Sequence, residues 1–250
     1  MISVCIPTYN MHGNGVDFLK QALTSLQNQT NKNFEVVVSD DSTDDQIKDF
    51  LDNFDSNFEI RYCKNTSANK GASANLNNAI KNARYEIIKP LFQDDWIVND
   101  AMIDDILMSK NKWGMLGWKT TLDNTLCRPK WSKKISIGVN TMGMPTGLFF
   151  QKNDALFFDE KLINLMDCDF YYRLYQLYGN PQILPETYYV ARIWEGSISN
   201  TQVSARLNIK ELRYIQQKRN RHFLVFWWLL YVIFFVKPKE YFSSFTASKK

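Results

Sequence analysis

Asp94 and Asp95 are two adjacent carboxylates that directly follow a short apolar run, and this run predicts a buried strand. Like charges placed side by side at the end of a strand repel each other and need solvent or a counter-charge. Oxygen-liganded Mg²⁺ or Mn²⁺ supplies such a counter-charge. The alternative interpretation is a turn in which one carboxylate caps a helix that begins near residues 98–101. The pair alone leaves both interpretations open.

Three further polar loops follow predicted strands, at residues 7–10, 40–43 and 69–71. Together with the acidic pair they form a rim that suits a nucleoside diphosphate. An aromatic ring stacks on the base, a carboxylate accepts from ring or ribose donors, a cation neutralises the pyrophosphate, and Lys70 adds a point charge. The chain contains neither GxxxxGK[ST] nor GxGxxG, which argues against a P-loop NTPase and a dinucleotide dehydrogenase.

The elements that must position these loops alternate between strand and helix. Hydrophobic runs predict strands at residues 3–7, 34–38, 59–63 and 86–91, and helical spacing predicts helices at residues 16–28, 46–54 and 73–83. This alternation predicts a doubly wound parallel sheet. Ligands of such sheets bind outside the carboxyl ends of the strands, so the four polar loops are expected on one rim.

The second half of the chain is less regular, with strands predicted at residues 112–118, 147–150 and 188–193 and no element predicted over most of 120–146. The run MDCDFYYRLYQLYGNP predicts a helix that begins near Asp167 or Asp169 and ends at Gly179. One of the two aspartates is expected to cap this helix. Because Asp169 and Arg173 are four residues apart, we predict an ion pair between them and assign the cap to Asp169.

The composition describes one sizeable domain with a distinct tail. A chain of 250 residues has room for one α/β domain and a modest extension. The net charge of +4 is uneven, since residues 205–250 carry +8 and residues 1–204 carry −4. The cysteines show no CxxC spacing and the chain has two His, so neither a zinc site nor a disulfide framework is indicated. No secretory signal is expected, which favours the cytoplasm.

The tail predicts a membrane-surface segment. Residues 205–221 are helical in composition and basic, and residues 223–236 form an uninterrupted apolar run that is short for a bilayer crossing. Basic flanks and many aromatics suit a segment in the headgroup region of an anionic membrane. A core helix and an oligomer interface are the alternatives.

Six motifs occur in an order and at a spacing that resemble those of the family 2 glycosyltransferases, which have the GT-A fold. They are VCIPTYN, VVVSDDSTDD, NKGASANLNNAI, FQDDW, FDEKL and MDCDFYYRL, and they cover roughly residues 1–200. The resemblance implies a Rossmann-like mixed α/β sheet flanked by helices. It also implies a donor-binding half over about residues 1–98 and an acceptor half over about 99–204, followed by the basic and apolar helical extension at 205–250.

The resemblance also implies roles for individual residues. The donor nucleotide would be bound by residues of the first three loops, of helix 73–83 and of the acidic pair: Pro7, Thr8, Tyr9, Asp40, Asp41, Lys70, Asn75 and Asp94. Asp95 would be the principal ligand of Mg²⁺ or Mn²⁺, with Asp94 beside it. Asp167 resembles the catalytic base of the family, and a carboxylate fills that role when it is partly desolvated.

The chain departs from the family pattern at two places. Phe92 occupies the position at which the family often has the first Asp of its DxD motif. Trp194 occupies the position at which many relatives have a metal-binding His. Glu195 is therefore an additional candidate metal ligand. The QxxRW motif of processive relatives is absent, so transfer of one sugar per encounter is expected.

The resulting prediction is an inverting, metal-dependent glycosyltransferase that moves one sugar from a nucleoside diphosphate sugar, expected to be a UDP-sugar. The acceptor is a hydroxyl of a lipid-linked glycan or oligosaccharide in bacterial polysaccharide synthesis. The enzyme is expected in the cytoplasm, at the inner face of the cell membrane, with no nucleic-acid partner, and a homo-oligomer is compatible with the sequence. Two rival interpretations are a catalytically decayed, membrane-docked glycan-binding module and a sugar nucleotidyltransferase.

Overall fold

A computed structural model describes residues 1–220 and 223–235 of the chain. Within these residues the strands, numbered β1 to β8 in chain order, are Ile2–Thr8, Phe34–Asp40, Glu59–Lys64, Ile87–Pro90, Trp96–Ile97, Trp113–Thr120, Leu148–Gln151 and Gln182–Ala191. The α-helices, numbered α1 to α8, are Gly15–Gln27, Gln46–Asp52, Ala72–Asn82, Met102–Leu107, Met166–Tyr178, Ile198–Thr201, Ala205–Lys218 and Leu224–Phe235. Short 3₁₀ helices cover Met11–Gly13, Lys133–Ile137 and Pro145–Gly147.

The strands pair into one mixed sheet in the order β3-β2-β1-β4-β7-β6-β8-β5. Strands β3, β2, β1 and β4 are mutually parallel, as the sequence predicts. Every residue of β1 and β2 is buried. This burial explains their continuous apolar runs, because helices cover both faces of a parallel sheet.

The other half of the sheet is not uniformly parallel. Strand β7 runs antiparallel to both β4 and β6, and the two-residue strand β5 runs antiparallel to β8. Strand β8 is again parallel to β6. The mixed, helix-flanked sheet implied by the family resemblance is therefore confirmed, whereas a purely parallel sheet holds only for the first four strands. As a result, the carboxyl ends of β1, β2, β4 and β8 lie at the same edge.

Two hydrophobic clusters lie on the two faces of this sheet. One joins Leu19 and Leu23 of α1 to Ile103 of α4, and the other contains Trp113 of β6 and Phe170 of α5. These side chains are at most 1% exposed. Since burying one large apolar side chain contributes about 1.5–3 kcal/mol, the clusters hold the strand ends rigidly in place.

The last two helices pack against the body of the protein to different extents. Helix α7 buries Leu212 and Ile215, while α8 buries Leu224 and Trp228 but leaves one side open to solvent. On that open side Phe223, Phe226, Trp227 and Ile233 are more than half exposed. Residues 221–222 and 236–250, which belong to the predicted basic and apolar tail, lie outside the described residues.

In the part of the chain that the structure describes, none of the helices combines the length and the apolar character that crossing a bilayer demands.

Candidate active site

A cavity of about 770 Å³ opens over the shared carboxyl edge of the sheet. Of the residues singled out in the sequence, seven line it: Pro7, Tyr9, Asp41, Asn75, Asp94, Asp95 and Asp167. Thr8, Asp40, Lys70 and Glu195 are not among the lining residues. The fold thus brings together residues that are up to 160 positions apart in the chain.

Pro7 and Tyr9 reach the cavity from the end of β1, and Thr8 between them points into the protein. The Thr8 hydroxyl donates to the Ser39 carbonyl at 3.1 Å. The Asn75 amide donates to the Thr8 carbonyl at 2.8 Å, and its oxygen accepts from the Ser39 hydroxyl at 2.6 Å. Asn75 therefore ties the ends of β1 and β2 to helix α3.

Gly15, at the start of α1, allows the loop after β1 to fold back on itself. A Cβ atom at this position would lie 2.5 Å from the Tyr9 carbonyl oxygen, so a larger residue would push Tyr9 out of place. The buried Gln93 holds the same loop from below, since it accepts from the Tyr9 N–H at 2.9 Å and donates to the Gly15 carbonyl at 2.6 Å.

Asp40 is fully buried at the end of β2, behind the cavity wall. Its carboxylate accepts from the Ser42 hydroxyl at 2.6 Å and from Tyr62 and Lys64 at 3.0 Å each. Burial by itself would raise the pKa of Asp40, but these hydrogen bonds outweigh it and hold the pKa below its usual value. Asp40 is placed as an ionised support for the loop rather than as a ligand-facing group.

Asp41, one residue on, faces the cavity and organises the loop between β3 and α3. It accepts from the Asn65 amide at 2.8 Å, from the Lys70 ammonium at 3.3 Å and from the Gly71 N–H at 3.0 Å. The Lys70 side chain is 57% exposed at the rim. Lys70 is thus tethered to Asp41, a residue of the cavity wall.

Asp94 and Asp95 follow β4 at the floor of the cavity. Helix α4 begins with Ala101 as its N-cap and has no side-chain cap, so the alternative interpretation of the acidic pair as a helix cap is wrong. Asp95 is 5% exposed, accepting from the Thr146 hydroxyl at 2.5 Å and from the Arg192 N–H at 3.1 Å. Asp94 accepts from the Trp194 indole N–H at 3.0 Å.

The positive charges of Arg192 and Lys89 act on the acidic pair but do not offset its burial. Burial raises the pKa of Asp94, and burial together with the neighbouring Asp94 charge raises the pKa of Asp95 well above its usual value. Two desolvated carboxylates of this kind fit a divalent cation, which favours the ionised form of both.

The protein contributes few ligands to such a cation. Among the described residues no group of three or more His, Cys, Asp or Glu side chains is placed to hold a metal ion. Mg²⁺ in phosphate-transfer sites is commonly bound through one or two carboxylates and completed by substrate phosphates and water. The donor set fits that arrangement, with Asp94 and Asp95 as the protein ligands.

Arg192 and Trp194 close the cavity from the end of β8. The Arg192 guanidinium lies over the Phe18 ring at 4.3 Å and donates to the Asp94 carbonyl at 3.1 Å. The Trp194 ring packs edge-on against Phe18, with ring centroids 5.4 Å apart. The position at which relatives carry a metal-binding His is therefore occupied by an indole that holds Asp94 through a hydrogen bond.

Lys89 is a buried amine below the floor that the sequence analysis passed over. It is fully buried in β4 and donates to the carbonyls of Pro90 and Thr146. Burial lowers the pKa of Lys89 to about 7, and the Asp95 charge opposes this shift. The sequence signal for this buried amine is a lysine within the otherwise apolar strand β4.

Asp167 faces the cavity from the first turn of α5. Its carboxylate accepts from the Cys168 N–H and the Asn140 amide, both at 2.6 Å. Burial raises the pKa of Asp167 to about 6, against the lowering effect of these hydrogen bonds. A carboxylate with a pKa near 6 is basic enough to accept a proton from a hydroxyl group and is still ionised at neutral pH.

Asp169 has a structural role, but not the predicted one. Its ion pair with Arg173 is confirmed at 2.8 Å, and Arg219 adds a second contact at 2.7 Å. The predicted cap is wrong, because Leu165 is the N-cap of α5 and this N-cap makes no side-chain hydrogen bond. Asp169 instead lies fully buried and turns toward the two arginines.

Asn140 and Thr146 complete the site from the stretch in which the sequence predicted no element. They support Asp167 and Asp95, two of the carboxylates that line the cavity. Neither residue stands in a periodic pattern or next to a recognisable motif, so no signal in the sequence pointed to them.

Comparisons with solved structures identify the architecture as the GT-A fold. The S. aureus TarS 1-349 fragment in complex with UDP-GlcNAc superposes with a TM-score of 0.68 at 22% identity, over 96% of this chain and 77% of that one. A mannosyltransferase from Pyrobaculum calidifontis in complex with GDP-Man and Mn2+ gives a TM-score of 0.61 at 15% identity, over 88% of this chain and 64% of that one.

Sequence comparison finds a family likeness in the first part of the chain. Residues 3–107 match the model of Glycosyl transferase family 2. A poly(ribitol-phosphate) beta-glucosyltransferase of Bacillus spizizenii is 29% identical over 166 residues, 65% of this chain and 23% of the relative. A GalNAc(5)-diNAcBac-PP-undecaprenol beta-1,3-glucosyltransferase of Campylobacter jejuni is 32% identical over 114 residues, 45% of this chain and 35% of the relative. The matches therefore span about a quarter to a third of these curated relatives.

Proposed function

We propose that the chain is an inverting glycosyltransferase that moves one sugar from a nucleoside diphosphate sugar to a hydroxyl of a lipid-linked or oligosaccharide acceptor in bacterial polysaccharide synthesis. The observation that carries this proposal is the arrangement of the cavity. Asp167, whose pKa is raised to about 6, faces the same space as the Asp94 and Asp95 pair and the nucleotide-side residues Tyr9 and Asp41.

Residues on two walls of the cavity have different proposed roles in the reaction. On the first wall, Tyr9 offers a ring for the base, Asp41 offers acceptor oxygens for base or ribose, and Lys70 offers positive charge near the diphosphate. On the opposite wall, Asp167 accepts the proton of the acceptor hydroxyl as its oxygen attacks the anomeric carbon. Attack from the face opposite the departing diphosphate inverts the configuration at that carbon.

Mg²⁺ or Mn²⁺ is the expected cofactor, held by Asp95 and Asp94 with Glu195 as an additional candidate. When bound, the cation neutralises the charge on the leaving diphosphate. The raised pKa of both carboxyl groups supports this assignment, because each needs a positive partner to stay ionised. Trp194 keeps Asp94 oriented through the indole N–H.

The donor is expected to be a UDP-sugar. Support comes from the TarS fragment, whose structures contain UDP-GlcNAc and UDP. The Pyrobaculum enzyme contains GDP-Man, so the shared fold by itself allows more than one base. The names of the two curated relatives, one acting on poly(ribitol-phosphate) and one on an undecaprenol-linked glycan, support a bacterial surface glycan as the acceptor.

Attachment to the cytoplasmic face of the membrane forms part of the proposal. The exposed side of α8 presents Phe223, Phe226, Trp227 and Ile233 to solvent. The Lys134 ammonium lies 5.1 Å from the ring centre of Tyr231 on the same helix, and Lys130 and Lys133 are close in sequence. An apolar surface beside lysines suits an anionic lipid surface.

The test is a screen of nucleoside diphosphate sugars, with release of the free nucleotide as the readout and Mn²⁺ or Mg²⁺ present. We expect one UDP-sugar to be turned over, more slowly after chelation of the metal, and the product to have the inverted anomeric configuration by NMR. If no donor in the screen yields a nucleoside diphosphate, the enzyme proposal fails and the interpretation as a glycan-binding module takes its place.

A further inference from the structure

Helix α7 supplies a buried carboxylate to the segment that leads into α5. Glu211 is 3% exposed. It accepts from the backbone N–H groups of Ile163 at 2.7 Å, Asn164 at 3.2 Å and Leu165 at 2.8 Å. These groups precede the first turn of a helix that has no side-chain cap of its own. Glu211 therefore does from another helix what a capping side chain does locally.

The segment that Glu211 holds forms part of the cavity wall. Ile163 and Asn164 line the cavity, and Asp167 follows Leu165 by two residues. A second contact from α7 acts on the same segment, because the Asn164 amide donates to the Asn208 oxygen at 2.5 Å. The backbone position of the proposed base is thus set by α7, which lies outside the region matched by the family model.

Helix α7 is kept in register by contacts that do not involve Glu211. Arg219 binds Asp169 at 2.7 Å, Lys218 binds Asp159 at 2.5 Å, and Leu212 and Ile215 are buried in the hydrophobic cluster. Since these contacts persist without the carboxylate, a change at Glu211 loosens the Ile163–Leu165 backbone while α7 stays docked.

We propose that Glu211 is a positioning residue of the transfer reaction, which fixes the segment 163–165 so that Asp167 faces the acceptor hydroxyl. This inference rests on the proposed function, because it assigns Asp167 as the base. It also implies that the acceptor side of the site is incomplete without α7, whereas the donor side, built from the ends of β1, β2 and β4, is formed without it.

The first test substitutes Glu211→Gln in the full chain and measures kcat and the KM for the donor separately. The amide retains one acceptor oxygen but turns an N–H₂ group toward backbone donors, so at least one of the three bonds is lost. A displacement of about 1 Å at a catalytic group costs about 100-fold, and we expect kcat to fall about 10- to 100-fold with the donor KM unchanged. A purely structural role would lower kcat and raise the donor KM together, or would lower only the melting temperature.

Two further variants complete the experiment. Glu211→Asp keeps the carboxylate on a shorter stem, and we expect its kcat to lie between those of the wild type and Glu211→Gln. Glu186→Gln makes the same chemical change at an exposed carboxylate that pairs with Arg128, and we expect it to match the wild type. If Glu211→Gln unfolds at the assay temperature, Glu211→Asp provides the comparison.

The outcomes separate this inference from the proposed function. Wild-type protein that transfers no sugar contradicts the proposed function itself. Wild-type protein that transfers sugar, together with folded Glu211 variants of unchanged kcat, overturns the positioning role alone. An equal effect on kcat and on donor binding also overturns it, because the donor side does not contact Glu211.

Discussion

At the scale of single residues, the surroundings of Asp167 differ in charge from those of the Asp94 and Asp95 pair. Burial raises the pKa in all three cases, but Asp167 has two neutral hydrogen-bond donors and no close cation, which leaves it poised to take a proton. The Asp94 and Asp95 pair has two adjacent carboxylates, and a bound cation would stabilise the ionised form of both. The proposed base and the proposed metal site in this cavity are thus built from the same residue type.

Replacement of the proposed base is the most direct prediction. We expect Asp167→Asn to lower kcat by about 10²- to 10⁴-fold, because a general base contributes that range, while donor affinity measured by calorimetry stays unchanged. Asp123→Asn, in an exposed loop, is the matched control and should retain wild-type turnover. Near-normal turnover by Asp167→Asn would show that another group takes the proton.

Asn140, which donates a hydrogen bond to the proposed base Asp167, gives a prediction about the pH dependence of the rate. Burial raises the pKa of Asp167 to about 6, and the Asn140 amide opposes that rise, so activity should increase with pH through about 6 as the carboxylate ionises. Asn140→Asp keeps the oxygen that accepts from Met142 and Gly143 but replaces the donating amide by a like charge. The pKa of Asp167 then rises further, and we expect the acid limb of the rate profile to move up by about one pH unit.

The measurement is a full pH profile of kcat for both proteins. Above about pH 9 the two rates should converge, since Asp167 is ionised in each. An acid limb that stays in place would mean that Asp167 is not the group whose ionisation limits the rate.

At the scale of elements, the end of β2 shows how a strand terminus is stabilised by charge. The four partners of Asp40 come from its own loop, from β3 and from β1, so this carboxylate joins three neighbouring elements. Its pKa is lowered in the folded state, so the stabilisation is present above the unfolded pKa of about 4 and is lost as the pH falls through the folded value.

We expect Asp40→Asn to lower the free energy of unfolding by about 2 kcal/mol at pH 7, because it weakens a buried set of charge-assisted hydrogen bonds. The difference from the wild type in urea denaturation should shrink as the pH drops below about 4. Asp52→Asn, which breaks the exposed Lys48 pair, is the control and should leave stability unchanged. A pH-independent difference would exclude the charge of Asp40 as the cause.

Helix α8 gives the second prediction at this scale. Trp227 and Ile233 are 55% and 65% exposed on its open side. We expect the double variant Trp227→Glu with Ile233→Glu to bind phosphatidylglycerol vesicles at least about 10-fold more weakly in co-sedimentation, since two apolar anchors are lost and two like charges added. Met108→Glu replaces an apolar residue that is 78% exposed elsewhere and should not change binding. Equal binding by the double variant would remove α8 from the membrane-attachment proposal.

At the scale of the whole molecule, the donor nucleotide should stabilise the folded chain. Its proposed ligands come from the loops after β1, β2 and β4, and the unfolded chain has no such cavity. With UDP and Mn²⁺ at about 100 times the dissociation constant, linkage gives about 2.7 kcal/mol, or a rise in melting temperature of roughly 5–10 °C. Asp41→Ala should abolish most of that rise. A larger rise with GDP than with UDP would contradict the uridine assignment.

Much of the cavity wall formed by the strand ends could be predicted from the sequence, because it depends on local patterns. Continuous apolar runs gave β1 and β2, and the polar residues at their ends followed from the rule that ligands gather at the carboxyl ends of parallel strands. The acceptor side depends instead on contacts between distant segments. Asn140 and Thr146 lie in a stretch without periodicity.

Glu211 shows a different limit of sequence analysis. It stands in a helix whose basic composition predicted a membrane surface, and its three backbone partners are recognisable only in the folded chain. The capping assignment to Asp169 failed for the same reason. The backbone N–H groups just before α5 donate to Glu211, which lies about 45 positions further along the chain.

The hydrogen bond between Trp194 and Asp94 joins residues that are 100 positions apart, and it bears on how the protein is made. The Asp94 carboxylate gains this donor only once synthesis has passed Trp194, so a product truncated earlier would lack it.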